Sequence, residues 1–137
     1  MKAQIGLEYM AILTLMIALM IPLFYLANQK LDTSRTSSEA SAAMNAIISS
    51  ADSVYAQSPG SKISTNVFIP MGYDNASSYI ITKTIVMRYN LANGMPYDAM
   101  GFTKGNIAGR LPPYPGYHLM TFTMNQSGWV LINTTAK

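Results

Sequence analysis

A long apolar run close to the N-terminus constrains this chain more than any other feature. It covers residues 5–27 and contains one charged side chain, Glu8. As an α-helix the run would be roughly 35 Å long, which is enough to cross the hydrocarbon core of a bilayer. A carboxylate at the centre of a membrane helix costs about 2.5–3.5 kcal/mol on insertion scales. Glu8 therefore needs either a partner or a position near the bilayer surface.

The composition narrows the classes of function. Charged residues make up 11% of the chain, against about 25% in ordinary soluble domains, which is typical of a surface covered by a membrane, by partner subunits or by glycans. The net charge of +3 is spread without a Lys/Arg cluster, so no specific nucleic-acid site is expected. The chain has no cysteine and one histidine, His118. Disulfides and cysteine-based metal sites are thereby excluded, and no metal or cofactor is expected.

Candidate catalytic groups are scarce in the sequence. It contains no Ser/His/Asp grouping, carboxylate pair, Gly-rich phosphate loop or HExxH motif, which argues against an enzyme. His118 alternates with Met120 and Phe122 on one face of a predicted strand. We expect it at the edge of the core rather than in a catalytic or metal-binding role.

Helical character continues beyond the apolar run. Pro22 removes one backbone hydrogen bond and predicts a kink inside the membrane segment. Residues 28–57 contain neither Gly nor Pro, and Ser-Pro-Gly at 58–60 ends the helix. We expect a helix over residues 4–57, on the order of 80 Å long, with the polar region 29–38 as its weakest part and an alternative point of breakage. An apolar stripe at three- and four-residue spacing marks its second half: Ala40, Ala43, Met44, Ile47, Ile48, Ala51, Val54 and Tyr55.

The period changes to that of β-strands after the Pro-Gly break. Strands are predicted at residues 63–69, 79–89, 97–102, 117–124 and 129–134. Asn93-Gly94 is a strong hairpin signal, and residues 105–116 are expected to form a loop with at most one short strand. The sequence therefore predicts an α+β fold. Its head would be a small antiparallel sheet of about five or six strands, packed on the C-terminal half of the helix.

The residues after Met1 read KAQIGLEY and lead directly into the apolar run. This motif resembles the class III signal peptide of archaeal type IV pilins, in the variant with a Q-x-S-x-E pattern. Gly6 stands where Ser is usual in that family, and the leader is short. The resemblance implies that a prepilin peptidase cuts between Ala3 and Gln4, which makes Glu8 the fifth residue of the mature chain.

The resemblance extends to most of the chain. The helix-to-head transition at 51–57, the strand entry at 115–118 and the closing apolar residues 130–132 are similar to the corresponding parts of these pilins. The family has a pilin-like α+β fold with a long hydrophobic N-terminal helix. The implied segments are a leader peptide (1–3), a helix that is first membrane anchor and then filament core (4–57), and an extracellular β-domain (58–137).

Electrostatics supports the motif independently of the family. Cleavage would expose a cationic amine at Gln4, about one helical turn from Glu8, where the helix dipole favours a negative charge. In a filament of staggered helices, Glu8 of one subunit can meet the Gln4 amine of a neighbour. Such a pair in an apolar bundle sets register more than it adds stability. The alternative is a glutamate that lies at a bilayer surface without an assembly role.

The implied function is that of a structural subunit of an archaeal type IV pilus, or fimbrium. The chain would polymerise as a helical homopolymer into a cell-surface adhesion filament, from a single-pass membrane precursor with its head outside. Implied partners are the prepilin peptidase, an assembly ATPase and a polytopic membrane platform protein. The alternatives are a non-polymerising minor pilin and a membrane-anchored extracellular binding domain with an uncleaved signal anchor. An archaellum subunit fits less well because those usually lack a glutamate at this position.

Three sequons for N-glycosylation lie in the predicted head. Their asparagines are Asn75, Asn125 and Asn133. Because an extracellular head is accessible to glycosylation, we expect at least one of them to carry a glycan.

Overall fold

One long helix is followed by seven strands in the computed structural model, which describes residues 2–136 and the side chains of residues 6–135. Met1, part of the predicted leader, lies outside the described residues. The elements are α1 (Lys2–Tyr55), β1 (Lys62–Ile69), β2 (Tyr73–Ile81), β3 (Thr84–Asn90), β4 (Pro96–Phe102), β5 (Asn106–Gly109), β6 (Gly116–Met124) and β7 (Trp129–Ala136).

Helix α1 is continuous through the polar region 29–38, so the alternative of two separate helices is not what the chain adopts. Serine hydroxyls in and after this region donate hydrogen bonds to carbonyl groups of the preceding turn, as Ser41 does to Ser37 at 2.9 Å. Arg35 and Glu39 form an ion pair at 2.8 Å with the spacing of adjacent turns. These local bonds satisfy the polar side chains without interrupting the helix. Pro22 lies inside the helix, and the kink there stays a prediction.

The strands form two sheets rather than one. The first has the order β1-β6-β7-β5, and the second has the order β2-β3-β4. Neighbouring strands are antiparallel except for β5 and β7, which run parallel. The expectation of a purely antiparallel head with five or six strands is therefore wrong in these details. The hairpin predicted around Asn93-Gly94 is confirmed as the connection of β3 to β4, and the short strand expected within 105–116 is β5.

The single strand predicted over 79–89 is wrong, because this stretch is a hairpin of β2 and β3. The chain reverses at Thr82-Lys83, where Thr82 adopts a positive φ of 50°. A β-branched residue is a poor predictor of such a turn, because positive φ values favour Gly, Asn and Asp. Because strand-forming residues lie on both sides of this turn, the sequence pattern of the two strands resembles that of a single long strand.

The core lies between the second half of α1 and both sheets. The apolar stripe predicted on the helix supplies Ala40, Ile47 and Val54, which are fully buried. Gly101 in β4 has no side chain where Met44 and Ile48 approach, so the helix can pack closely on the second sheet. The expected α+β fold, with a long apolar N-terminal helix and a β-head on its C-terminal half, is confirmed. The largest buried side chains from the sheets are Val67, Ile69, Ile85, Met87, Tyr89, Ile107, His118, Met120, Phe122 and Val130.

Candidate assembly surface on the N-terminal helix

The N-terminal half of α1 leaves its apolar side chains uncovered. Every residue from 6 to 28 is exposed, and the large apolar side chains among them are 54–74% accessible to solvent. None of the most apolar stretch of the helix is buried within the chain. Monomeric soluble proteins rarely expose so large a contiguous apolar surface. By length and composition this helix can act as a membrane anchor.

Gln4 and Glu8 both lie on the N-terminal half of α1, about one turn apart along the backbone. Glu8 is exposed, and neither of the ion pairs found within residues 6–135 involves it. The side chain of Gln4 lies outside the described side chains, so the register pair stays a prediction. The peptide bond between Ala3 and Gln4 lies in the first helical turn. Amide groups there have no intrahelical partner, so this turn can unwind for a protease at low cost.

Hydrogen bonds between α1 and the head begin at Gln29 and continue to the last turns of the helix. The Gln29 side chain donates a weak hydrogen bond to the Ala92 carbonyl at 3.4 Å. Further along, three polar bonds join helix and strands: Ser41 to the Tyr97 hydroxyl at 3.0 Å, Ser50 to Thr65 at 2.9 Å, and the Lys104 amide to the Asp52 carboxylate at 2.8 Å. The apolar face and these bonds fix the head on the second half of the helix only.

The three sequon asparagines occupy different environments. Asn75 in β2 and Asn133 in β7 are exposed, whereas Asn125 is half-buried. The Asn125 side-chain oxygen accepts a hydrogen bond from the Trp129 amide at 2.9 Å, which closes the turn between β6 and β7. On accessibility alone, Asn75 and Asn133 are therefore the better candidates for modification.

A groove between the two sheets was not predicted from the sequence. It has a volume of about 560 Å³, and its lining includes Asn75, Asn133, Tyr79 and Arg110. The groove forms where β2 of one sheet meets the chain around β5 and β7 of the other. No local sequence pattern reports such a juxtaposition, because the residues come from segments far apart in the chain.

His118 is fully buried, so the expectation that it lies at the core edge is wrong. It alternates with Met120 and Phe122 on the inner face of β6, as predicted. Its Nε2 is 2.8 Å from the Tyr114 carbonyl oxygen, and since a carbonyl only accepts, Nε2 must carry the proton. The role that this geometry supports is to hold the loop before β6 against the core. Within the described residues there is no group of three or more His, Cys, Asp or Glu side chains suited to a metal ion.

Three ionisable side chains, Asp74, Arg88 and Asp98, lie on neighbouring strands of the second sheet. Arg88 donates two hydrogen bonds, each 2.7 Å long, to the carboxylate of Asp98, and this contact lowers the pKa of Asp98. Asp74 accepts a bond from the Ser77 hydroxyl at 2.7 Å, which is the main reason that its pKa is lowered too. Both contacts tie neighbouring backbone segments together, and neither is enclosed in a cavity of catalytic type.

The described residues thus carry an uncovered apolar surface, on residues 6–28, and a groove in the head. The predicted cleavage site and Glu8 lie on the helix that carries the uncovered surface, while two of the three sequons open into the groove. The Met-rich character of the helix also fits adaptable packing. Comparisons of the chain with protein-family models, with curated proteins and with solved structures find no match.

Proposed function

We propose that this chain is a structural subunit of an archaeal type IV pilus, as its N-terminal motif implies. The observation that carries the proposal is the apolar surface of residues 6–28, which stays exposed beside the folded head. A bilayer covers this surface before assembly, and the same helices of neighbouring subunits cover it in the filament. One surface thereby serves in two environments.

Burial among like helices holds the assembled filament together in water. Removing apolar surface from water is favourable by about 25 cal/mol per Å², but in the bilayer the helix is already out of water. Extraction from the membrane therefore needs an input of energy, which fits an assembly ATPase and a membrane platform protein as partners. Within the bundle, Glu8 pairs with the free amine of Gln4 on a neighbour and fixes the axial register.

The head forms the outer surface of the filament and contacts other surfaces. On the first sheet, Phe68 and Tyr117 are exposed, with ring centroids 4.9 Å apart. Paired exposed aromatic rings offer contact area at a low cost in side-chain entropy. Glycans on Asn75 or Asn133 would cover the neighbouring groove.

N-terminal mass spectrometry of sheared surface filaments tests the cleavage step. The expected mature chain begins at Gln4, because the peptidase removes residues 1–3. Assembled filaments whose subunits begin at Met1 would contradict this step. The membrane fraction of cells that lack the peptidase provides the control, and there the chain should retain Met1.

Replacement of Glu8 tests the register argument. Glu8→Ala should leave the chain in the membrane but abolish filaments seen by electron microscopy, because the Gln4 amine then has no partner in the bundle. Glu8→Gln, which keeps the shape and removes the charge, should also fail. The matched control is Glu39→Gln, an acidic residue of the same helix that pairs within its own chain, and it should assemble normally. Normal filaments from Glu8→Ala would rule out the register role.

A membrane-anchored binding domain, or a minor pilin that does not polymerise, is the second candidate. The groove of about 560 Å³, with an aromatic ring and a guanidinium in its lining, favours it. The two candidates differ in the fate of the wild-type chain. Immunogold labelling along the length of filaments supports the structural subunit, while labelling confined to the cell envelope or to filament tips supports the second candidate.

A further inference from the structure

Three connections form the end of the head that faces the apolar part of the helix. They are residues 70–72 between β1 and β2, residues 91–95 between β3 and β4, and residues 111–115, the last part of the connection from β5 to β6, and we call them the lower end. Strand pairing brings them together: the Asn90 amide donates to the Gly72 carbonyl at 2.7 Å, and Ile69 pairs with Gly116. The loop 91–95 reaches the helix at Gln29.

The lower end has an unusual composition for exposed loops. None of these three stretches contains Asp, Glu, Lys or Arg. Arg110, which begins the connection from β5 to β6, lies outside them and is hydrogen-bonded through its backbone to Ile132 and Thr134 of β7. Met71, Met95 and Tyr114 are 77%, 64% and 49% exposed there. The opposite end of the head carries exposed Lys83 and Lys104 in its turns. Tyr is enriched at membrane–water interfaces, and interfacial segments bury apolar side chains at the boundary between headgroups and acyl chains.

The helix fixes how far the lower end lies from the bilayer. Residues 6–26 span about 30 Å as α-helix, the thickness of a hydrocarbon core. Leu26 and Asn93 line one groove, so the tip of the loop 91–95 is level with the last apolar turn. Gln29 follows Leu26 by only about 4.5 Å along the axis. The headgroup layer on each side of a bilayer is roughly 5–7 Å thick, so no spacer separates the head from the lipid.

We infer that the lower end of the head docks on the lipid surface while the chain is anchored in the membrane. Met71, Met95 and Tyr114 lie in the headgroup layer, and the head is held upright on the bilayer rather than swinging on its helix. The inference rests on the membrane-anchored precursor of the proposed function, but not on polymerisation. The partner is a bilayer surface, and leaving it accompanies extraction into the filament.

The absence of cysteine allows a direct test with the full-length chain. Met71→Cys, Met95→Cys and Lys83→Cys variants are labelled with the fluorophore NBD and reconstituted into phosphatidylcholine vesicles. The vesicles contain a lipid with a nitroxide on its headgroup. A Leu19→Cys variant, in vesicles with a nitroxide on the acyl chain, reports insertion of the helix. We expect strong quenching and a blue-shifted emission at positions 71 and 95, and neither effect at position 83.

The possible outcomes distinguish docking of the lower end from insertion of the helix into the bilayer. Quenching at position 19 with none at 71 or 95 would overturn docking and leave the anchored precursor intact. No quenching at position 19 would overturn both, because the helix would not be inserted. Met95→Glu in the Met71→Cys chain should reduce quenching to the level of the Lys83→Cys label. Met100→Glu, a similarly exposed methionine on the sheet face, should leave quenching unchanged; equal effects of the two variants would contradict the assignment.

Discussion

The two halves of helix α1 share one secondary structure and differ in what covers them. Residues 6–28 are apolar on all sides and exposed. Residues 40–54 carry a single apolar stripe, and the head buries it. A helix that is apolar all round requires an apolar environment, whereas an amphipathic helix requires one packed partner. The first half therefore depends on an apolar environment outside the chain, while the second half is part of the folded head.

The largest difference between the halves is expected when the same residue type is shortened in each. Ile47 in the second half is fully buried, and Ile17 in the first is 54% exposed. Ile47→Ala should lower the free energy of unfolding of the head by about 2–5 kcal/mol, because it removes buried methyl groups and leaves a cavity. The measurement is denaturant unfolding of the full chain in detergent micelles, followed by the fluorescence of Trp129, the single tryptophan.

Ile17→Ala is the matched control for that experiment. Its effect on the unfolding of the head should stay within about 0.5 kcal/mol, as for surface substitutions. Similar losses in the free energy of unfolding from both variants would show that the first half of the helix is coupled to the head, which would contradict the distinction between the two halves.

A charge introduced into each half should have its larger effect in the first half, whereas shortening an isoleucine should have its larger effect in the second. Leu19→Asp places a carboxylate near the centre of the apolar run, at a cost of about 2.5–3.5 kcal/mol for insertion. It should release much of the chain from the membrane fraction while Trp129 fluorescence still reports a folded head. Asn45→Asp, on the exposed side of the second half, should change neither property. Loss of the folded head in Leu19→Asp would contradict the separation of the two halves.

The sequence predicted the helix more accurately than the head, and particular residues explain why. The stripe from Ala40 to Val54 is a periodic, local signal, so its buried face follows from spacing alone. The turn at Thr82-Lys83 lacks the usual turn residues, so β2 and β3 were merged. The parallel pairing of β5 with β7 joins segments about twenty residues apart along the chain, and no local pattern specifies it.

The candidate site was predictable to the same limited extent. The positions of Gln4 and Glu8 on one apolar helix follow from the motif and the helical period. The groove beside Asn75 and Asn133, and the closeness of the loop 91–95 to Leu26, depend on how two sheets pack against one helix. Such contacts are set by tertiary packing, which a single sequence read locally does not contain.

A smaller effect is expected from the polar bonds that join the second half to the head. Ser50 is buried, and its hydroxyl bonds to that of Thr65 at 2.9 Å. Ser50→Ala should cost about 1 kcal/mol in the unfolding of the head, since it leaves Thr65 without this partner. Ser53→Ala removes an exposed bond within the helix itself and should change stability less. Equal losses would mean that the bond to Thr65 contributes nothing specific to the docking of the helix.

The smallest effect is expected from the Arg88–Asp98 pair, which touches neither half of the helix and is partly exposed. Arg88 lowers the pKa of Asp98 in the folded chain, so the folded state favours the carboxylate more than the unfolded chain does. The resulting stabilisation is fully present above the ordinary Asp pKa of about 3.9. It is lost as the pH falls through the lower pKa of the folded state.

Asp98→Asn should therefore unfold more easily than the wild type at neutral pH, and the difference should shrink on acidification below about pH 4. Unfolding of the head followed by Trp129 fluorescence over this pH range measures it. The hydrogen bond from Ser77, which is the main cause of the lowered pKa of Asp74, is the same in the wild type and the variant, so most of the loss due to Asp74 cancels in the comparison. A difference that stays constant with pH would show that the introduced amide disturbs packing rather than charge. Membrane retention should be unaffected throughout, because residues 6–28 contain no part of this pair.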